Sequence, residues 1–282
     1  MANSTTTSLA SLISPILQEA LFTASERSIM RGLVTEYNVP NNSGKVAQVP
    51  IYPVVSASDL TEGTDMAGTS ADQAITTTTK NITLGEVGLM TNLTDMIRDT
   101  SEQNVVAHLG RIFGDALAKK IDADLIGLFT GFSEGQGSAG TELTVDEMFK
   151  AVAKLQTAAA PGPYYGVFHP KVMYQIKKAL TNTFQAANVN DLGNEALRGG
   201  YVGTIAGVQI FESSNVAVDG SDDAIGAIFS SAALGLAIQS DMNIETQRNA
   251  SLRSDEIVAT ARYGVAELID SYGVKLTADA AL

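Results

Sequence analysis

The sequence predicts an α+β fold, because one long helical pattern lies between segments rich in β-branched residues and no clean βαβ repeat occurs. The helical pattern extends from about residue 100 to 129, and its polar face carries Arg111, Asp115, Lys119 and Asp122. A helix of about 30 residues spans ~45 Å, whereas the usual helix has about 11 to 12 residues. We therefore expect this helix to organise the chain, with an apolar face formed by Val105, Leu109, Ile112, Phe113, Leu117, Ile121, Leu125 and Leu128.

The composition argues against several kinds of function. Lys and Arg number 18 and Asp and Glu number 31, so the net charge of −13 disfavours a broad surface for nucleic acid or anionic lipid. The chain has no cysteine, which removes disulfides, thiolate nucleophiles and Cys-based metal sites. Its two histidines, His108 and His169, leave little for imidazole catalysis or zinc binding. We expect no enzyme activity, no cofactor and no bound metal.

The N-terminal region predicts one helix. Leu9 to Arg27 carry an apolar stripe at helical spacing, formed by Leu12, Ile13, Ile16, Leu17, Ala20 and Leu21. This helix is either a first core helix of the same subunit or an arm laid on a neighbour. No signal peptide pattern and no apolar run of about 20 residues occurs, so we expect a soluble protein made in a cytoplasm, without a membrane span.

Residues 45–84 predict an extended, two-limbed excursion. Val46, Val49 and Ile51 indicate a strand that Pro50 and Pro53 confine to an edge. The threonine-rich run 75–82 indicates the returning strand, and residues 56–74 between them have few large apolar groups. Because an isolated ribbon of two strands is marginal in water, we expect it to lie on another copy of the protein. A surface loop without a partner is the alternative.

The remainder predicts two lobes. Leu93 to Arg98 indicate a short helical turn before the long helix, and a glycine-rich linker at 131–140 marks a lobe boundary. The second lobe should contain helices after Thr144 and Pro170 and a turn at 219–223. Its predicted strands are 164–168, 201–205, 208–212, 224–230 and 234–238. Strands from Glu256 and around Val274 should lie beneath the long helix and close the first lobe.

Three motifs suggest chemistry but lack the structural context that the chemistry needs. Ser133, with Asp146 and His169 after it, fits a hydrolase nucleophile elbow, yet a helix precedes the serine where a strand is required. Residues 135–140 fit a dinucleotide fingerprint without a preceding strand or a following acid. The pairs Asp122 and Asp124, and Asp222 and Asp223, are interpreted as a solvated helix face and a turn. Gly110 and Gly114 on the long helix indicate either close approach of another backbone or ordinary tolerance.

The order of these parts resembles a known family. It comprises an N-terminal arm, a ribbon containing Asp59 to Gly63, a very long helix, Tyr164 to Pro170 leading into a helix, Gly203 to Ile210, and late strands around Arg262 and Val274. This order resembles the major capsid proteins of tailed bacteriophages, whose HK-ninety-seven-type fold is shared with encapsulins. The resemblance covers nearly the whole chain, and the order of the parts is more specific than any single motif.

The resemblance implies a division of the chain. Residues 1–44 correspond to the N-terminal arm and 45–84 to the extended loop. Residues 85–130 and 250–282 correspond to the peripheral domain with its spine helix, and 131–249 to the axial domain. Some members of the family crosslink a loop lysine to a neighbour's asparagine. Lys45 lies at the base of the loop and not at its tip, so crosslinking is not carried over.

The resemblance also implies a function. We expect a structural protein that assembles as hexamers and pentamers into an icosahedral virion shell and encloses double-stranded DNA without sequence-specific binding. Its partners would be copies of itself, with portal, scaffolding and decoration proteins. An encapsulin-like compartment shell and a serine hydrolase using Ser133 are the alternatives. The predicted interface residues all lie in the extended loop: Lys45, Tyr52, Asp59, Glu62, Asp65 and Lys80.

Overall fold

A computed structural model describes residues 28–42, 44–53, 55, 57–67, 72, 75–96, 105–184 and 204–281, without the side chains of 105–107 and 179–184. Its helices are α1 (Val105–Gly127), α2 (Val145–Thr157) and α3 (Pro170–Phe184). Short 3-10 helices cover Met30–Leu33, Leu128–Gly131 and Asp270–Tyr272. The strands are β1 (Thr35–Asn38), β2 (Val46–Ile51), β3 (Thr78–Thr83), β4 (Gly85–Thr94), β5 (Gly135–Gly137), β6 (Tyr164–Phe168), β7 (Val208–Glu212), β8 (Asp223–Ser230), β9 (Leu234–Asn249), β10 (Ser254–Glu267) and β11 (Gly273–Asp279). The mixture confirms the predicted α+β class.

The long helix α1 lies against a four-stranded sheet of order β1-β9-β10-β4. Strands β9 and β10 form a long antiparallel hairpin, and β4 pairs antiparallel with the other side of β10. Alternate residues of β10 are buried in the same core as α1, as the period-two pattern from Glu256 predicted. These residues are Ile257, Ala259, Ala261 and Tyr263, and they face the helix residues Phe113, Leu117, Ile121 and Leu125.

Two expectations about the first lobe were wrong. Residues 234–238 were assigned to the second lobe, but they begin the 16-residue strand β9 of the four-stranded sheet. Leu93 and Thr94 were assigned to a helical turn, but they end strand β4. Asp95 and Met96 are helical as predicted, and residues 97 and 98 lie outside the described residues. Strand β4 carries a period-two pattern of half-buried residues, so the signal for a strand was present in the sequence.

The second sheet has five strands in the order β5-β11-β8-β6-β7. Strand β11 was expected beneath α1, but it pairs with β8 and with β5 in this sheet. The glycine-rich linker is likewise more than a connection, because Gly135–Gly137 is the edge strand β5. Strands β6 and β7 are parallel, and α3 lies between them in the chain. Together they form one βαβ unit, which was not predicted from the sequence.

The helices of the second lobe begin where the sequence predicted. Thr144 and Glu147 form the capping box of α2, in which the Thr144 hydroxyl accepts from the Glu147 N–H at 3.3 Å and the Glu147 carboxylate accepts from the Thr144 N–H at 2.9 Å. Pro170 is the first residue of α3. The predicted strand at 201–205 is not formed in its described part, since Ile205 makes only an isolated bridge to Val208.

The predicted long helix is confirmed over Val105–Gly127, and two of its residues lie elsewhere than expected. Ile112, assigned to the apolar core face, is 58% exposed. Asp122, assigned to the solvated face, is 2% exposed. The predicted helix at 9–27 lies outside the described residues.

Candidate assembly surface

The residues of the suggested hydrolase motif do not form a catalytic arrangement. Ser133 donates its hydroxyl hydrogen to Asp270, whose carboxylate also accepts the Ser133 N–H at 2.8 Å. Asp146 pairs with Lys150 at 2.6 Å on the exposed side of α2, and Nδ1 of His169 accepts the Lys171 N–H at 3.2 Å. Burial lowers the pKa of His169, with the nearby Lys171 adding to the effect. The three groups thus serve separate local contacts, and a serine nucleophile has no histidine base here.

The glycine motif at 135–140 also serves the fold. Gly135–Gly137 pairs in parallel with Lys275–Thr277 of β11. The Gly140 N–H, which would face a phosphate in a dinucleotide site, donates to the carboxylate of Asp223 at 2.7 Å. A carboxylate of the protein itself therefore occupies the anion-binding position of this loop.

The two carboxylate pairs have structural roles. The solvated interpretation was wrong for Asp122, whereas Asp222 and Asp223 lie at the predicted turn, where the Asp219 N–H donates to the Asp223 carbonyl at 2.8 Å. Asp122 is buried and accepts the Ser28 hydroxyl at 2.7 Å and the N–H groups of Ile29 and Met30 at 3.1 Å each. Burial raises the pKa of Asp122, and its three hydrogen bonds oppose that rise. Asp223 is buried at the end of the predicted turn and accepts from Gly140. Within the described residues, no group of His, Asp and Glu side chains has the arrangement of a metal site.

Other residues singled out on α1 are partly explained. His108 is exposed, whereas Gly110 and Gly114 are buried on the core side of the helix. Tyr263 of β10 donates its hydroxyl to Asp124 at 2.8 Å, and Asp124 also pairs with Lys120 at 2.7 Å. Burial, followed by the contact with Asp124, raises the pKa of Tyr263. None of the described helices is long and apolar enough to span a membrane.

The extended loop has a packed base. Its strands β2 and β3 pair antiparallel from Val46–Thr83 to Ile51–Thr78, which confirms the two-limbed excursion. The base buries a small separate core against strand β9 and the segment after β10. This core is formed by Val39, Val49, Ile82, Leu84, Ala237 and Leu268. Ile82 is completely buried. The loop therefore leaves the subunit at a fixed position.

Two glycines beneath β3, one in β9 and one in β10, determine how closely the base of the extended loop packs on these two strands. A Cβ at Gly264 would lie 2.3 Å from the Thr83 carbonyl oxygen, and one at Gly235 would lie 3.2 Å from Cδ1 of Ile82. We call Gly235, Gly264 and Leu268 the loop seat. The loop seat was not predicted from the sequence, although Gly264 stands in one of the segments that carry the family resemblance.

Beyond residue 51 the described part of the loop has little contact with its own subunit. Large apolar side chains are exposed there, namely Tyr52 at 69%, Leu60 and Ile75 at 63%, Met66 at 51% and Val55 at 50%. Near Asp59 to Asp65 the chain makes a turn in which the Thr64 N–H donates to the Thr61 carbonyl at 3.2 Å and Gly63 has a φ of +79°. The Asp65 carboxylate accepts the Ala67 N–H at 3.1 Å. Apolar side chains so exposed on an excursion are typical of a surface that another protein covers.

All six predicted interface residues are exposed on this loop, but they occupy two regions. Lys45 and Lys80 lie at the base, and Asp59, Glu62 and Asp65 lie around the turn, with Tyr52 between the regions. Lys80 lies close enough to Glu267 to lower its pKa, against a larger rise caused by burial and a further rise from Asp270. The loop therefore carries positive charges where it leaves the subunit and negative charges around its turn. These charges are exposed to a neighbouring molecule.

Comparisons with known proteins agree with this geometry. A family model described as "Phage capsid protein" matches residues 76–275. Comparison of the sequence with curated proteins gives no significant match. Among solved structures, the chain is similar to the capsid protein of Cyanophage P-SCSP1u, with 19% identity, a TM-score of 0.71, and coverage of 89% of this chain and 88% of that chain.

Two further structures have the same fold. A protein of Mycobacterium phage Che8 is 18% identical, with a TM-score of 0.67 and coverage of 88% and 90%. The SrpI encapsulin of Synechococcus elongatus is 12% identical, with a TM-score of 0.66 and coverage of 90% and 88%. The likeness extends over about nine-tenths of each chain and shows the fold that these chains share.

Proposed function

The chain belongs to the phage capsid protein family and has the HK-ninety-seven-type fold, and from that premise we propose that it is the major shell subunit of a tailed bacteriophage. It assembles as hexamers and pentamers into an icosahedral virion shell that encloses double-stranded DNA. The observation that carries this proposal is the extended loop, which is fixed at its base and exposes apolar side chains beyond it. The absence of a catalytic arrangement at Ser133 fits a structural role.

The proposed division of the chain follows the family. Residues 1–44 are the N-terminal arm, 45–84 the extended loop, 85–130 and 250–282 the peripheral domain, and 131–249 the axial domain. The two sheets support this division with three exchanges. Residues 35–38 and 234–249 belong with the four-stranded sheet beside α1, and residues 273–279 belong with the five-stranded sheet.

The charge of the chain fits a shell that surrounds DNA without binding it tightly. A net charge of −13 repels phosphates, so contacts with the packaged DNA are confined to local patches. The subunit is made in the host cytoplasm and resides in the virion, with portal, scaffolding and decoration proteins as further partners. The purified subunit should show no measurable retention of a DNA duplex in a gel-shift assay at ~150 mM salt, the range in which non-specific binding is already weak.

Deletion of residues 55–75 tests the role of the loop. The base cluster lies outside this segment, so the deleted subunit should stay folded by circular dichroism but form no stable particles by electron microscopy. The unmodified chain, expressed in parallel, should form closed shells. Normal particles from the deletion variant would refute assembly through the loop, and a compact monomer at every concentration of the unmodified chain would refute the shell itself.

A point substitution at the loop seat gives a finer test. Gly264→Ala places a Cβ 2.3 Å from the Thr83 carbonyl oxygen, so the backbone of β3 must move and the loop beyond it must change direction. Gly85→Ala is the matched control, because its Cβ lies at an ordinary 3.9 Å from the Tyr263 carbonyl oxygen. We expect Gly264→Ala to reduce particle yield strongly and Gly85→Ala to leave it unchanged. Equal yields would show that the direction of the loop is unimportant.

An encapsulin-like compartment is the second candidate, supported by the similarity to the Synechococcus encapsulin. The two candidates differ in what the shell contains. Genes for DNA packaging and tails beside the gene for this chain support the virion shell, whereas a neighbouring gene for a cargo enzyme that co-purifies with the particles supports the compartment.

A further inference from the structure

Helix α3 carries one exposed aromatic ring between two lysines. Tyr174 is 54% exposed, and Lys171 and Lys178 lie three residues before it and four residues after it, on the same side of the helix. Neither of these lysines forms an ion pair within the described residues, whereas the adjacent Lys177 pairs with Glu212. We call Lys171, Tyr174 and Lys178 the cationic stripe.

One end of the five-stranded sheet is acidic. Asp279 lies opposite Asp223 in the pairing of β11 with β8, and the Asp279 N–H donates to the Thr141 carbonyl at 2.8 Å. The Asp219 N–H donates to the Asp223 carbonyl at 2.8 Å as well. These contacts bring together four exposed or half-exposed carboxylates that form no ion pair within the described residues: Glu142, Asp219, Asp222 and Asp279.

Helix α2 adds an exposed aromatic ring beside these carboxylates. The helix begins at Val145, three residues after Glu142, and Phe149 in its second turn is 54% exposed. The charged side chains on the same side of α2 neutralise each other, because Asp146 pairs with Lys150 at 2.6 Å. We call Phe149 and the four carboxylates the acidic face.

We propose that the cationic stripe of one copy docks on the acidic face of the next copy, with Tyr174 against Phe149 and the two lysines among the carboxylates. Each surface combines an exposed aromatic ring with unpaired charges of one sign, and an aromatic contact within a polar rim is the usual anatomy of a protein interface. Both helices are held in the core of the second lobe, and no ion pair joins the two surfaces within one chain. The lysines therefore meet these carboxylates in another copy.

The two surfaces also determine the kind of symmetry. Two cationic stripes repel each other, and so do two acidic faces, so the contact joins different surfaces of two copies. A contact of this heterologous kind closes a ring when it repeats around an axis. The contact rests on the proposed function, in which hexamers and pentamers are such rings, and it joins neighbouring axial domains.

Charge reversal on each surface tests the contact. Lys171→Glu with Lys178→Glu should lower the yield of closed particles in electron microscopy at least about tenfold, because like charges then face each other. Glu142→Lys with Asp222→Lys should have the same effect, and these two carboxylates accept no hydrogen bond from the described residues. The fourfold variant reverses both surfaces and keeps the net charge of the natural chain, so its yield should return to within about twofold of the natural yield.

The other outcomes count against the contact. Circular dichroism of the unassembled subunits identifies variants that do not fold. Absence of particles from the natural chain would refute the proposed function itself, and with it the contact. With natural particles present, a normal yield from either reversed pair would refute the contact alone, as would a fourfold variant that assembles no better than the pairs. Normal particles that hold less DNA after the lysine reversal would assign the cationic stripe to nucleic acid.

Crosslinking tests the same contact with its charges intact. The natural chain has no cysteine, so subunits with Ala153→Cys, one exposed turn beyond Phe149, and subunits with Tyr174→Cys each carry a single thiol. Particles assembled from an equal mixture and treated with a short bismaleimide should give at least about five times more covalent dimer than particles of either variant alone. Dimers joined through the same position in both chains, or equal yields in all three samples, would overturn the proposal.

Discussion

Substitution of Asp122 tests how the N-terminal region is attached to the long helix. In Asp122→Ala the Met30 N–H loses its partner in a completely buried position, and the half-buried Ile29 N–H loses its partner as well. A buried donor without a partner costs about 1–3 kcal/mol, so we expect a loss of about 3 kcal/mol in the free energy of unfolding. At about 2–4 °C per kcal/mol for a chain of this size, the melting temperature falls by roughly 6–12 °C.

Asp122→Asn separates the hydrogen bonds from the charge. Its amide oxygen retains an acceptor for the same donors, so the loss should be only about 1 kcal/mol. Because burial raises the pKa of Asp122, the folded state holds more protons than the unfolded state between an ordinary value of about 3.9 and the raised value. The part of the stability that is linked to protonation of Asp122 is therefore complete below about pH 3.9 and is lost as the pH rises through the raised pKa, whereas the loss in Asp122→Ala measures the hydrogen bonds. The asparagine variant should lack this dependence.

Urea unfolding of the unassembled subunit across this pH range measures both effects. Asp146→Ala is the control, because Asp146 is an exposed carboxylate paired only with the exposed Lys150, and its removal should change stability by less than about 0.5 kcal/mol. Two results would contradict the proposed role of Asp122. One is a loss of unfolding free energy in Asp122→Ala no larger than in Asp146→Ala. The other is an Asp122→Asn variant that keeps the pH dependence of the natural chain.

Three further tests concern local contacts, two of them in the second lobe and one between β10 and α1. In urea unfolding, Gly137→Ala should cost about 2–3 kcal/mol more stability than Gly140→Ala. Both glycines have positive φ angles, but only the Cβ at 137 would meet a backbone atom, the Thr277 oxygen at 2.2 Å. Equal losses would contradict the clash. Thr144→Ala should cost about 1 kcal/mol through the lost cap of α2, and Thr144→Ser should restore most of it. Tyr263→Phe should cost about 1 kcal/mol in the same assay, because it removes the bond to Asp124, and no loss would show that this bond is dispensable.

The sequence predicted features that depend on neighbours along the chain. The spacing of Phe113, Leu117, Ile121 and Leu125 predicted the helix and its buried face, and the capping box at Thr144 predicted the start of α2. Helical periodicity and caps are properties of a few consecutive turns, so they can be identified without knowledge of the fold. Asp122 has the same local pattern as an exposed residue and is buried only because Ser28 to Met30, more than 90 residues away, cover it.

The membership of strands in sheets could not be predicted from local pattern. Val274, Leu276 and Ala278 alternate in β11 as Ile257, Ala259 and Ala261 alternate in β10, but the two strands lie in different sheets. An alternation with a period of two indicates that one face of a strand is buried, but it does not identify the partner strand. The order of parts shared with the capsid family supplied the overall fold, whereas the placement of β5 and β11 required the structure.

The extended loop links the fold to the proposed function through a difference in packing along its length. Its base gains stability within the subunit, since Ile82, Val49 and Leu268 are buried together and the glycines of the loop seat admit β3 at close range. The exposed residues beyond Ile51 gain no such burial. Holding a residue in one conformation costs about 1–2 kcal/mol of backbone entropy, so an ordered loop in a shell must recover that cost from apolar contacts such as those of Tyr52, Leu60 and Ile75 with a neighbour. Under the proposed function, in which another subunit stabilises the distal part, assembly is therefore the step that orders the loop.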